Sequence, residues 1–179
     1  MLTFLAICGS LRRASHNRII AHALPALVPA GVVVEVFEGL GDVPLYDGDV
    51  EAAGMPALVT ALGARIAAAD GVIFVTPEYN YSMPGVLKNG IDWLSRLKPQ
   101  PFLEKPVAIQ TASMGVLGGA RCQYHLRQTL VMLEARVLNK PEVMVAQAQN
   151  KLSAEAITDE ATRGVIVKQL AAFAAFAGR

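Results

Sequence analysis

Three short segments concentrate the residues that could do chemistry. The first, Gly9-Ser10-Leu11-Arg12-Arg13-Ala14-Ser15-His16-Asn17, leads from an apolar run into a stretch of helical period. A helix start presents unpaired backbone N–H groups and the positive end of the macrodipole, so an anion is favoured there. Ser10, Ser15 and Asn17 add neutral donors and Arg12 adds charge-assisted ones, a set suited to the terminal oxygens of a phosphomonoester. The same serines and asparagine would serve equally as helix caps, and a loop arginine is often simply solvated. The spacing does exclude rivals. The second and third glycines of GxGxxG and the GK[ST] of a P-loop are both missing, so neither a dinucleotide Rossmann site nor an ATP site is predicted.

The second segment runs from Thr76 to Trp93, and Pro77 and Pro84 bracket a stiff turn within it. Its polar and aromatic residues can offer backbone N–H groups to ring heteroatoms and an aromatic wall to a planar ligand. Gly85 would allow close approach at the start of the following helix. The third segment, residues 112–119, is rich in small residues.

These segments need a frame, and the hydrophobic pattern predicts one. Apolar runs at 2–8, 32–37, 71–76 and 106–111, with a last one inside 136–145, read as strands covered on both faces. Asn139 and Pro141 interrupt the last, which predicts two short pieces. Helical stripes alternate with them: Ile20, Ala23, Leu24 and Leu27; Leu58, Leu62, Ile66 and Ala69; Val86, Leu87, Ile91 and Leu94; Leu126, Leu130 and Leu133; Ile166, Leu170 and Phe173. Thr158, followed by Asp159 and Glu160, is the predicted start of the last helix. Strict alternation predicts an α/β fold, a doubly wound five-stranded parallel sheet with helices on both faces. Ligands of such sheets bind outside the carboxyl ends of the strands, near the switch in strand order. That rule selects the loops 9–16, 77–83 and 112–119.

On these motifs the chain resembles the NADPH-dependent FMN reductase family, in its branch of cytosolic quinone reductases also known as chromate reductases. The likeness is carried by Gly-Ser-Leu-Arg-x-x-Ser-x-Asn at 9–17, Pro-Glu-Tyr-Asn-Tyr-Ser-x-Pro-Gly at 77–85, Leu-Lys-Asn-x-x-Asp-Trp-Leu-Ser-Arg at 87–96, and the loop from Thr111 to Arg121. It runs to about residue 142. The resemblance implies a flavodoxin-like fold with FMN bound and NAD(P)H as electron donor. It implies that Ser10, Arg12, Ser15 and Asn17 hold the FMN phosphate, that Pro77, Glu78, Tyr79, Asn80 and Tyr81 line the isoalloxazine, and that Ser113 and Gly115 flank its other side. It further implies two-electron reduction of a quinone or another small oxidant such as chromate, in a homodimer or homotetramer whose neighbouring subunit closes each flavin site. No side chain is assigned a catalytic role, because the cofactor supplies the chemistry. The alternatives are an NAD(P)H:FMN reductase, an azoreductase and a flavodoxin-type electron carrier; such carriers tend to be strongly acidic, whereas this chain has a net charge of +1.

Other residues read as structural. Trp93, beside Ile91 and Leu94, is expected to pack rather than stack on a flavin, and Asp92 to serve its own helix. Glu78 is expected to shape its loop as well as line the ring. His16 stands where it could see the phosphate. Arg121, Tyr124 and Glu142 could meet across a subunit interface or face solvent. Arg96 fits either an attractor for NAD(P)H phosphates or a plain helix C-terminal cation. His16, His22 and His125 share no metal-ligand spacing, so no metal is predicted.

The totals agree with this reading. The chain has 179 residues, 53% hydrophobic and 17% charged, enough for one domain over residues 1–179 and unlike a disordered polymer. Lys and Arg are scattered, so no basic stripe marks a nucleic-acid partner. Cys8 and Cys122 are far apart and predict free thiols in a reducing compartment. The apolar runs fall short of a membrane span, and the basic residues at Arg12 and Arg13 follow the first run, the reverse of a signal peptide, so a cytoplasmic location is expected. The apolar surplus suggests a surface covered by a partner subunit.

Overall fold

The computed structural model describes residues 1–178. The strands are β1 (Leu2–Cys8), β2 (Val32–Phe37), β3 (Gly71–Thr76), β4 (Pro106–Ala112), β5 (Arg136–Val137) and β6 (Val143–Val145). The helices are α1 (His16–Ala23), α2 (Gly48–Ala53), α3 (Ala57–Ala68), α4 (Gly85–Leu94), α5 (Ala120–Met132) and α6 (Glu160–Ala177). All strand pairs are parallel, in the order β2-β1-β3-β4-β5, with β6 also paired to β4.

The sheet is six-stranded rather than five-stranded because its last edge is divided. Arg136 and Val137 pair with Pro106 and Val107, and the chain rejoins β4 only at Val143, opposite Gln110. The Asn139 and Pro141 break therefore had the expected effect. A proline has no N–H to give a ladder.

Side-chain alternation along the buried strands divides the core in two. Leu5, Ile7, Val72, Phe74, Val107 and Ile109 pack with α3, α4 and α5. Phe4, Ala6, Ile73, Val75 and Ala108 pack with α1 and α6 on the opposite face. At about 25 cal/mol per Å² of apolar surface removed from water, these two layers are the main favourable contribution to folding. On the second face the buried Gln169 amide of α6 accepts from Gln110 Nε2 (3.0 Å) and donates to the Pro141 carbonyl (2.8 Å).

Three local differences from expectation have simple causes. The stripe through Leu27 is buried as predicted, but α1 stops at Ala23, where a 3-10 turn containing Pro25 takes over. The cap of α6 is Asp159 rather than Thr158, with the Asp159 carboxylate accepting from Thr162 N at 2.8 Å. Helix α2 was not predicted, because it buries none of its residues and so leaves no apolar stripe to read. Its only signal was Asp47, whose carboxylate accepts from Asp49 N.

The sheet reverses its winding between β1 and β3, with α1 on one face and α3 and α4 on the other. The carboxyl ends of β1, β3 and β4 thus open onto a common crevice, the place where a flavodoxin-like order binds its ligand.

Candidate functional site

The β1 loop is held down at Gly9, whose N–H donates to the Val75 carbonyl at 2.9 Å. A Cβ at Gly9 would lie 2.3 Å from Thr76 Oγ1, so any side chain would push β1 from β3. The loop closes with Ser15 N donating to Arg12 O at 3.1 Å, and Ser15 then stands as the N-cap of α1 in extended conformation. Its hydroxyl makes no cap bond. Helix α1 therefore begins with first-turn N–H groups that no side chain satisfies, beside a buried serine hydroxyl and the Arg12 guanidinium.

Asn17, the second residue of α1, behaves differently. Its Nδ2 donates to the Ala112 carbonyl and its Oδ1 accepts from the Ala112 N–H, both at 2.9 Å. The buried amide thus acts as an extra strand residue for the exposed end of β4 and ties the helix start to the β4 loop. One Nδ2 hydrogen remains for a ligand.

The β3 loop is a two-residue hairpin. Tyr79 and Ser82 exchange both backbone hydrogen bonds at 2.9 Å, and Asn80 (φ 49°) and Tyr81 (φ 68°) are both left-handed. Asparagine tolerates that conformation; for tyrosine it carries a strain of about 1–3 kcal/mol. The surroundings hold it in place. Glu78 Oε2 accepts from Cys122 N at 3.0 Å and so caps α5 from another loop. The other carboxylate oxygen lies 3.7 Å from Arg121, whose guanidinium covers the Tyr81 ring at 3.9 Å. His125 Nδ1 meets Ser82 Oγ at 3.1 Å.

The β4 loop is braced by β6: Ser113 N donates to Val145 O and Gln147 N to Gly115 O, both at 3.0 Å. Ser113 Oγ accepts from Gly115 N at 3.2 Å. Gly118 (φ 61°) and Gly119 (φ 90°) then turn the chain into α5. A Cβ on Gly119 would meet the Thr111 side chain at 2.6 Å, and one on Gly118 the Met144 backbone at 2.7 Å.

The three loops enclose an open cavity of about 290 Å³. Of the predicted residues, Ser10, Arg12, Ser15, Asn17, Pro77, Glu78, Tyr79 and Ser113 line it. The NADPH-dependent FMN reductase family matches residues 2–150. A quinone reductase of Escherichia coli K12 is 52% identical over 181 residues, covering 99% of this chain and 96% of the relative. An NAD(P)H-dependent FMN reductase of Pseudomonas aeruginosa is 50% identical over 169 residues, 94% of this chain and 91% of that one.

This chain belongs to the NADPH-dependent FMN reductase family.

The solved structure of a flavoenzyme NAD(P)H:(acceptor) oxidoreductase from Paracoccus denitrificans superposes with a TM-score of 0.88 at 32% identity, covering 99% of this chain and 98% of that chain. Three further residues of these loops, Asn80, Tyr81 and Gly115, do not line this cavity. Asn80 and Tyr81 form the hairpin tip rather than the cavity wall, and Gly115 is turned toward β6. The reason is the hairpin itself, which reverses the chain just past Tyr79. His16 lines the cavity as expected, and so do two residues not singled out beforehand, Ala112 and Met114. Ala112 and Met114 flank the predicted Ser113, and loop adjacency was their only signal.

The other residues singled out make contacts within the fold. Trp93 is fully buried, donates from Nε1 to Pro44 O at 2.8 Å and takes Tyr46 edge-on. Asn89 of the same helix binds Tyr46 N through Oδ1 and Pro44 O through Nδ2, both at 2.8 Å, so this motif pins the connection after β2. Asp92 pairs with Lys88 one helical turn away. Arg96 grips both Glu51 oxygens at 3.1 Å, and the Tyr46 hydroxyl donates to the same carboxylate, which lowers the Glu51 pKa. Arg96 lies outside the cavity lining and ties α4 to α2. Within the chain, Glu142 lies 3.9 Å from Lys140 and Arg121 lies 3.7 Å from Glu78.

Both cysteines are free and buried. Burial, with a smaller push from Glu78, raises the Cys122 thiol to about 12, and burial likewise raises Cys8. Among the described residues no cluster of His, Cys, Asp or Glu could hold a metal. None of their helices is long and apolar enough to cross a membrane.

Proposed function

We propose that this protein is an FMN-dependent NAD(P)H oxidoreductase that reduces quinones by two electrons, with chromate and similar oxidants as side acceptors. The observation that carries the reading is the start of α1. Uncapped first-turn N–H groups, the uncommitted Ser15 hydroxyl and the Arg12 guanidinium converge on one cavity at the β1/β3 switch point. That donor set fits a phosphate, and the neighbouring Pro77-to-Tyr79 segment and Ser113-Met114 give a planar ring two walls. The names of the bacterial relatives, quinone reductase and FMN reductase, support the same chemistry.

When bound, FMN would supply the two-electron chemistry between NAD(P)H and the acceptor. The chain contributes binding and orientation. Ser10, Arg12, Ser15 and the remaining Asn17 N–H hold the phosphate; Pro77, Glu78 and Tyr79 present the β3 loop to the ring. Asn80 and Tyr81 set the hairpin that positions Tyr79, and Gly115 orients Ser113. No side chain of the cavity is required as nucleophile or base.

A homodimer or homotetramer, located in the cytoplasm, completes the proposal. Tyr79 and Met114 of the cavity, together with Tyr81, Val116, Leu117 and Tyr124 of the same loops and α5, are exposed apolar or aromatic residues, a composition suited to a neighbouring subunit. In this reading residues 1–179 form one domain, which supplies the three loops of the site.

An absorption spectrum tests the reading. The purified protein, with FMN added if needed, should show flavin bands that bleach with anaerobic NADH or NADPH and return with benzoquinone. Bound FMN that neither dinucleotide bleaches would instead indicate an electron carrier. Absence of FMN binding would refute the site.

A further inference from the structure

The cavity is lined by four ionisable side chains: Arg12, His16, Glu78 and Tyr79. Arg12 is the cation of the phosphate reading, Glu78 is turned to the start of α5, and Tyr79 sits half-exposed at the mouth. His16 is left without a role. It is the first residue of α1, and its Nδ1 is shut off from solvent with no hydrogen-bond partner. That nitrogen faces the protein; the rest of the half-buried ring lines the cavity beside Arg12.

The charges around His16 are one-sided. Arg12 lies on the same loop as Arg13, and on α1 itself Arg18 and His22 are paired with Glu38. The β4 loop contributes only Ala112, Ser113 and Met114 to the cavity, all uncharged. The one carboxylate of the lining, Glu78, is taken up by Cys122 N and Arg121. Burial first, and Arg12 second, hold the His16 pKa below the ordinary 6.5.

We propose that His16 is a proton-coupled member of the phosphate cradle, neutral in the ligand-free protein and converted to imidazolium, by a proton taken from solvent, when the FMN phosphate binds. The inference rests on the FMN reading above. A phosphate in the cavity offsets the Arg12 repulsion that adds to burial in opposing protonation of the imidazole, so binding and protonation favour each other. A higher pKa in the complex than in the free protein means that affinity rises as pH falls through the bound-state value. The gain levels off below the free-state value. Each unit of difference is worth about tenfold in affinity. The ligand phosphate has its own second pKa of about 6, so the measurement must cancel that titration.

Flavin-stripped full-length protein is titrated calorimetrically with FMN near neutral pH, in two phosphate-free buffers of different ionisation enthalpy. His16→Asn, which cannot titrate, is measured alongside. The wild type should take up part of a proton per FMN more than His16→Asn does. The ratio of their affinities should grow about tenfold between roughly pH 8 and roughly pH 5.5. Equal proton uptake and a ratio flat with pH would overturn the proposal while leaving the FMN reading intact. A wild type that binds no FMN overturns both. If His16→Asn does not fold, net proton uptake by the wild type decides alone, because a phosphate bound as the dianion releases protons and moves the signal the opposite way.

Discussion

Asn17→Ala separates two roles that one asparagine could hold in this loop. A direct phosphate donor would cost affinity and leave the fold untouched. In the structure its buried amide satisfies both backbone groups of Ala112 at 2.9 Å. Truncation removes two neutral hydrogen bonds, each worth about 1 kcal/mol net, and leaves the Ala112 N–H and C=O without protein partners. Ala112 borders the open cavity, so water can reach these groups and recover part of the loss. A destabilisation of about 2–4 kcal/mol follows. For a domain of this size, each kcal/mol lowers Tm by about 2–4 °C, so the expected drop is roughly 4–16 °C. Thermal and urea unfolding of the flavin-free protein, followed by circular dichroism, measure it without the ligand's contribution. Asn17→Asp is the control: it keeps the acceptor for Ala112 N–H but sets a second oxygen against the Ala112 carbonyl, and should be at least as unstable. Unchanged stability of Asn17→Ala combined with a large loss of FMN affinity would refute the strut and leave only the phosphate-donor role.

Further outcomes can be checked independently. Arg12→Ala should weaken FMN binding by about 1.5–3 kcal/mol, the usual worth of a hydrogen bond to a charged group; unchanged affinity in a fluorescence titration removes Arg12 from the site. Gly119→Ala forces a side chain at φ 90° against Thr111 and should cost roughly 1–3 kcal/mol in urea unfolding, so wild-type stability would show that the turn into α5 relaxes freely. Both cysteines should resist a thiol reagent in the native state and react once unfolded; rapid native labelling of Cys122 would contradict its burial. For pH, the signs are opposite at two groups. The Cys122 thiol, raised from 9.0 to about 12, contributes stability that is present below 9.0 and lost as pH rises toward about 12. His16, lowered from 6.5, contributes stability that is present above 6.5 and lost as pH falls below it in the flavin-free protein. Flavin-free His16→Asn should therefore lose less stability than the wild type between neutral and mildly acid pH, and identical acid profiles would contradict the assignment.

Much of the frame was legible in the chain itself, for a physical reason. Parallel strands covered on both faces must be apolar along their length, so β1, β3 and β4 stand out as runs, and the helices between them carry stripes because only one face of each is buried. Helix α2 escaped notice because it buries no residue, and a helix held by a cap and one ion-pair network leaves no periodic trace.

The loop chemistry divides along the same line. Residue types at 9–17, 77–85 and 111–121 identified the three loops and the family, since backbone torsions and donor needs limit which residues can stand there. Whether a donor faces the ligand or the protein is decided by what the folded chain places beside it. Asn17 turns to Ala112 because β4 ends 95 residues away in sequence but within hydrogen-bond reach. Glu78 turns to α5 because that helix begins with an unsatisfied N–H at Cys122, and Arg96 is drawn to Glu51 of a helix the pattern did not reveal. The orphaned Nδ1 of His16 likewise exists only once burial has closed around it. Local sequence determined which groups were available at the carboxyl end of the sheet; tertiary structure decided which of them remained free to bind, because hydrogen-bond partners distant in sequence compete for the same donors and acceptors.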